Sequence, residues 1–376
     1  MNRLISRFKP YLQDFSRLSY IHKDPAFPPP IHSEPLIDCA LGTNPYGYSS
    51  SILDIFSQRD IFQLEKYPDP SYSQLVNRII EYWSPYTNLE FNDIIISAGS
   101  SGLIERIGKV LISQSSQIFG YAPQFSEFIT EMRAFGGHYS YLLLDKNDGF
   151  RFPTNLFINS MAPQYSIYYI DNPNNPTGQI IPIESIRDIL DLALAFNAFV
   201  VVDEAYGDFA DQSCSSIGLI ADYPNLIVLR SFSKGAGLAS LRVGYGVSRG
   251  VLNEYIRKVD LPFSVSQIAS LAAVQSLNDE QFIIDCREKV KSGKMMLMNR
   301  FPKLLFSVTS MEVPITLIGH PDPKIDFCRL LAEYNILTES GCDFIGLDHR
   351  YVRLRVPKNM DGLIDRMNSI PEINLL

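Results

Sequence analysis

The stretch Arg230-Ser231-Phe232-Ser233-Lys234-Gly235-Ala236-Gly237-Leu238-Ala239-Ser240-Leu241-Arg242-Val243-Gly244-Tyr245 sets one lysine between nearby hydroxyls, with an arginine eight residues further on. A lysine in that company suits an amine that condenses with a carbonyl group, while Ser231, Ser233 and Arg242 hold a phosphate. Taken alone, the same composition also describes a basic loop after a buried strand. Two upstream segments change the balance. Asp171-Asn172-Pro173-Asn174-Asn175-Pro176-Thr177-Gly178 follows the apolar run Ile167-Tyr168-Tyr169-Ile170, and its prolines, asparagines and glycine predict a rigid turn. Val200-Val201-Val202-Asp203-Glu204-Ala205-Tyr206 reads as a short buried strand that delivers an acid and a phenol at its carboxyl end.

Outward from these segments, residues 93–248 alternate short apolar runs with amphipathic stretches. Strands are predicted at Ile94-Ile95-Ile96, at 118–121, 139–144 and 167–170, and then at 200–202, 226–229 and 243–247. Helices are predicted over 101–112, after Pro123, and where Ile183, Ile186, Leu190 and Ala193 recur at helical spacing. This alternation predicts an α/β fold with a mainly parallel sheet covered on both faces. Ligands of such sheets bind beyond the carboxyl ends of the strands, where all three segments fall.

The chain has 376 residues, enough for one large domain and a smaller one. With 33 Lys and Arg against 41 Asp and Glu, its net charge of −8 disfavours nucleic acid and anionic membranes as partners. Five widely spaced cysteines (Cys39, Cys214, Cys286, Cys328, Cys342) without a C-x-x-C pair favour reduced thiols in a cytoplasm over a disulfide framework or zinc site. The first ten residues lack the apolar core of a signal peptide. The longest apolar stretch, 192–202, is too short to span a bilayer. The histidines show no metal spacing, so no metal is expected.

In that order (asparagine turn, Asp-Glu-Ala-Tyr strand end, Ser-x-Ser-Lys loop) the segments resemble the fold-type I pyridoxal-phosphate enzymes. Within them, the chain is most similar to the histidinol-phosphate aminotransferase and threonine-phosphate decarboxylase branch, over about 41–356. The resemblance implies an aspartate-aminotransferase-like architecture. A large cofactor-binding domain over 45–258 would carry a mainly parallel seven-stranded sheet, and residues 1–44 would join 259–376 in a smaller α+β domain. It implies pyridoxal 5'-phosphate as cofactor, with Lys234 as its Schiff-base partner and proton shuttle. Asp203 would pair with the pyridine nitrogen, while Asn175 and Tyr206 bond the ring oxygen and Phe125 stacks on the ring. Gly99, Ser100 and Ser101, which enter a helix from a strand, would share the phosphate with Ser231, Ser233 and Arg242. Tyr67 would reach across a dimer interface to the neighbour's phosphate, implying a homodimer with shared sites. Arg353, in the alternating Tyr351-Val352-Arg353-Leu354-Arg355, would grip the substrate carboxylate, with Arg355 on the same face as a surface charge.

The implied activity is transamination between an L-amino acid, including phosphorylated ones, and a keto-acid acceptor. Departures from the family leave alternatives open. Gly42 and Thr43 stand where an Asn-Glu pair is usual, Ser240 replaces a glycine, and Pro357 follows the arginine strand. A decarboxylase or an elimination-cyclisation enzyme could use the same cofactor groups, and a non-catalytic sensor is the more distant alternative. The first forty residues, rich in basic and phenolic groups, are expected to be either a solvated helix or a lid. As a lid they would bring Tyr11 and Tyr20 to the substrate and hold a distal anion.

Overall fold

The computed structural model describes residues 7–12, 15–17, 35–57 and 65–375. Its strands in chain order are β1 (Ile37–Asp38), β2 (Ile94–Ser97), β3 (Gln117–Ala122), β4 (His138–Leu143), β5 (Ile167–Asp171), β6 (Phe199–Asp203), β7 (Leu226–Ser231) and β8 (Gly244–Ser248). They continue as β9 (Leu305–Phe306), β10 (Ile315–Gly319), β11 (Ile336–Leu337), β12 (Glu339–Ser340) and β13 (Tyr351–Arg355).

Seven strands form one sheet in the order β2-β8-β7-β6-β5-β3-β4. Strand β8 runs antiparallel to both its neighbours, and the remaining pairs are parallel. The central strands read as unbroken apolar runs because helices cover both sheet faces. Val200, Val201 and Val202 are each fully buried, a burial that stabilises by about 1.5–3 kcal/mol per side chain. Helix Ile183–Ala195 packs through Ile186, Ile189, Leu190 and Ala193, the periodic positions of its sequence. β5 and β6 run in register so that Asp171 pairs with Asp203, and β6 with β7 so that Asp203 pairs with Leu229. Their carboxyl ends therefore release the asparagine turn, the Asp203 segment and the Ser231 loop at one edge.

A second sheet, in the order β12-β13-β10-β9, is antiparallel. Strands β1 and β11 form a separate parallel pair. A second apolar cluster joins Cys39 to Leu297, Phe327, Val352 and Leu363. Helix Glu280–Arg300 borders it and buries Lys294 completely. The Lys294 ammonium donates to Thr309 Oγ1 at 2.7 Å and to the Ser310 and Ile315 carbonyls at 2.7 and 2.8 Å. Three acceptors match its three donors, while burial pushes its pKa well below the lysine range. Among the described residues, no helix is long and apolar enough to cross a membrane.

Candidate active site

Beyond the carboxyl ends of β5, β6 and β7 lies a cavity of about 380 Å³. Its floor holds Asp203, which is 2 % exposed. Asp203 Oδ1 accepts from the Ala205 N–H at 3.0 Å and Oδ2 from the Tyr169 hydroxyl at 3.3 Å. Tyr169 is itself fixed by Phe128, whose ring stacks on it at 3.6 Å between centroids. Burial first, and the Asp171 carboxylate second, raise the Asp203 pKa to about 7, against the opposing pull of these hydrogen bonds and of Lys234. The floor is thus a carboxyl group whose charge is costly until a cation faces it.

Lys234 also lines the cavity, with its Nζ 5.3 Å from the centre of the Tyr206 ring. Tyr206, 3 % exposed, donates its hydroxyl to the Gly42 carbonyl at 2.9 Å. A Cβ on Gly42 would come 2.1 Å from that hydroxyl and 3.5 Å from Lys234 Nζ. The departure at this position therefore has a steric reason that the sequence pattern does not reveal.

The asparagine turn is built around Asp171. Its carboxylate accepts from the Tyr121 hydroxyl at 2.8 Å, Asn174 Nδ2 at 3.0 Å, the Asn175 N–H at 2.9 Å and the Phe125 N–H at 3.2 Å. One buried acid thus sets both Asn175 and Phe125 on the cavity wall. Burial raises the Asp171 pKa, and its hydrogen bonds oppose the shift. In the sequence Asp171 is only the first residue of the turn, with no role of its own.

An anion cradle occupies the other wall, where Ser100 and Ser101 open helix Gly99–Leu111 opposite Ser231, Ser233 and Arg242. Arg242 Nη1 donates to Ser233 Oγ at 3.2 Å and to the Ala239 carbonyl at 3.0 Å. Gly99 has φ +72, and a Cβ there would stand 2.6 Å from Arg242 Nη2. Behind the cradle, buried Arg230 bonds Glu204 at 3.1 Å and Asp208 at 2.5 Å, bracing the ends of β6 and β7. Arg230 was another residue the sequence motif contained but did not single out.

Other expected residues lie elsewhere. Arg353 is 2 % exposed and does not line the cavity; it donates to Asn175 Oδ1 at 3.1 Å and to the Ala40 carbonyl at 2.6 Å. Arg355 is no surface charge: it is 7 % exposed, because β1 covers it and Asp38 supplies a carbonyl at 2.5 Å and a carboxylate at 3.8 Å. Tyr67 is 82 % exposed, stacks on Phe263 at 4.8 Å and is not among the residues lining its own chain's cavity. Tyr11 is not at the cavity either; its ring lies against Gly136, where the missing side chain leaves room for it. Tyr20 lies outside the described residues. The N-terminal segment instead brings Arg17 to the cavity, paired with Glu127 and Glu131. Neither glutamate carried a sequence signal beyond ordinary helical spacing. Among the described residues, no cluster of side chains could hold a metal ion.

The profile of the family described as aminotransferase class I and II matches residues 36–366. A histidinol-phosphate aminotransferase from Methanococcus maripaludis is 26% identical over 334 residues, 87% of each chain. One from Dehalococcoides mccartyi is 30% identical over 273 residues, 72% of each chain. The solved histidinol-phosphate aminotransferase from Sinorhizobium meliloti, in complex with pyridoxal-5'-phosphate, superposes with a TM-score of 0.80. That superposition covers 99% of both chains at 20% identity, a likeness of fold.

Proposed function

We propose, from the premise that this chain belongs to the class I and II aminotransferase family, that the cavity binds pyridoxal 5'-phosphate and transfers an amino group from an L-amino acid to a keto acid. The residues present fit the cofactor on two independent counts. The gap between Gly99 and Arg242 is closed by a single added carbon, so the cradle is shaped for an anion between helix N-terminus and guanidinium. In the same cavity, Asp203 is a buried acid whose pKa burial raises to about 7, suited to a protonated ring nitrogen.

Ser100, Ser101, Ser231, Ser233 and Arg242 would hold the phosphate, Asn175 and Tyr206 the ring oxygen, and Phe125 the ring face. When bound, the cofactor supplies an electron sink for negative charge at the substrate's α-carbon. The chain's own residues do the rest. Lys234 would provide the amine that holds the cofactor, and its Nζ would move the proton at the substrate's α-carbon. Asp203 would keep the ring nitrogen protonated. Arg353 would accept the substrate carboxylate where it now holds the Ala40 carbonyl, which places residues 38–42 among the elements that shift on binding. We place the cofactor-holding unit at 45–258 and read the protein as a homodimer in which Tyr67 completes the partner's cradle.

The presence of Lys234, Asp203 and the Gly99–Arg242 cradle in one cavity carries this reading. Its test is product analysis by mass spectrometry with a panel of amino acids and their phosphate esters, with and without 2-oxoglutarate. Keto product with glutamate accumulating is expected, and Lys234→Ala should abolish it. Carbon dioxide release or a cyclised product without acceptor would move the enzyme to the lyases.

A further inference from the structure

One end of the cavity carries charges that the transamination chemistry does not use. Glu127 and Glu131 lie one turn apart on helix Ser126–Ala134, so both carboxylates leave the same helix face. Together they hold the Arg17 guanidinium, with Nη2 at 3.0 Å from Glu127 Oε2 and Nη1 at 3.1 Å from Glu131 Oε2. All three side chains line the same cavity as Lys234.

The members of this cluster are unequal. The glutamates' side chains are 13% and 19% exposed, whereas that of Arg17 is 42% exposed. The acids ride on a helix packed through Phe128, Ile129 and Met132; the arginine comes from a separate segment whose described part has one short 3₁₀ turn, Pro10–Leu12. Glu127 Oε1 is also shielded from water and has no hydrogen-bond partner among the described residues, so the pair of acids has acceptor capacity that Arg17 does not fill. The acids are the fixed part, and the cation is the exchangeable one.

Charge then decides what the cavity admits. The three groups sum to −1, and their single cation is shared between two acids. A distal phosphate or carboxylate on the substrate would face two carboxylates in a partly dry wall, where like charges repel more strongly than in water. A distal cation would meet two prearranged acceptors already spaced for a guanidinium.

We propose that this end of the cavity receives the substrate's side chain and selects an amino donor with a distal cation, a guanidinium or primary ammonium. Arg17 is an internal placeholder that this group displaces. The inference rests on the aminotransferase reading of the same site and names its substrate class.

The test compares holoenzyme kcat/KM for L-arginine with that for L-citrulline, which keeps the shape and loses the charge, and with L-glutamate. L-Arginine is expected to exceed L-citrulline by at least about tenfold, the scale of one charge-assisted hydrogen bond. Combining Glu127→Gln with Glu131→Gln should bring that ratio close to one. Arg17→Ala should lower the KM for L-arginine, because removing a competitor raises the fraction of binding-competent protein. Were Arg17 itself the receptor for a distal anion, the same variant would raise KM for L-glutamate and wild-type protein would prefer L-glutamate or a phosphate ester. Either result overturns the proposal, as does a wild-type ratio near one. If no donor of any charge is turned over, the aminotransferase reading fails and thermal shift decides the pocket separately. A rise in Tm with L-arginine but not L-citrulline, lost in the double glutamine variant, supports it; equal shifts or none overturn it.

Discussion

Asp203 is held dry by β6 and restrained by two hydrogen bonds that cannot offset the cost of its burial. Its folded pKa of about 7 lies above the value near 3.9 of an unfolded aspartate. Across that interval the folded chain binds a proton that the unfolded chain has released, so this group lowers stability as pH rises from about 4 towards 7. Above the folded pKa the penalty is constant, and below the unfolded pKa it vanishes. The Tm of cofactor-free protein should therefore fall between pH 5 and 7, and Asp203→Asn should remove that component. Saturation with cofactor should flatten the slope by pairing the carboxylate with a cation. An unchanged slope in Asp203→Asn would assign the pH dependence to other groups.

At the scale of elements, the cradle depends on a glycine at the mouth of helix Gly99–Leu111. Gly99→Ala places an L-residue at φ +72, costing about 1–2 kcal/mol, and drives its Cβ against Arg242. Fluorescence titration should show pyridoxal 5'-phosphate affinity falling by at least about tenfold, with the unfolding midpoint only modestly lowered. The strands and turns around this cradle were legible in the sequence for simple reasons. Strands buried on both faces must be apolar throughout, as Val200 to Val202 are, and a turn between them must draw on Pro, Asn and Gly. What escaped depends on contacts distant in the chain. Gly42 is required by a hydroxyl 164 positions away, Arg355 is buried by a two-residue strand near the N-terminus, and Glu127 is paired by an arginine 110 positions away. Alternation shows which face of β13 an arginine takes, but not what covers that face.

For the whole molecule, the position of Tyr67 is the strongest argument for a shared site. A phenol 82 % exposed beside Phe263, with Leu261 69 % exposed close by in sequence, is a costly surface for a lone chain and a natural contact for a second copy. Subunit mixing tests this directly. With sites shared as proposed, Lys234→Ala and Tyr67→Phe would each damage every site of their own homodimer. In a hybrid dimer, one site combines an intact Lys234 with an intact Tyr67 from the partner. Mixing the two variants under exchange conditions should restore activity towards a quarter of the wild-type level, because about half the dimers are hybrid and each holds one whole site. No gain on mixing would place Tyr67 outside the neighbour's site.

The buried ammonium of Lys294 also gives the molecule a chemical record of its own opening. Its three hydrogen bonds and complete burial keep the amine from any acylating reagent in water while the fold is closed. Exposed amines such as Lys358 react at once. Acylation of Lys294 should therefore proceed only as fast as the segment around 309–315 comes away from helix Glu280–Arg300. Mass spectrometry of that one peptide against time would measure how often the folded protein opens, in the midst of a mixture and without purification.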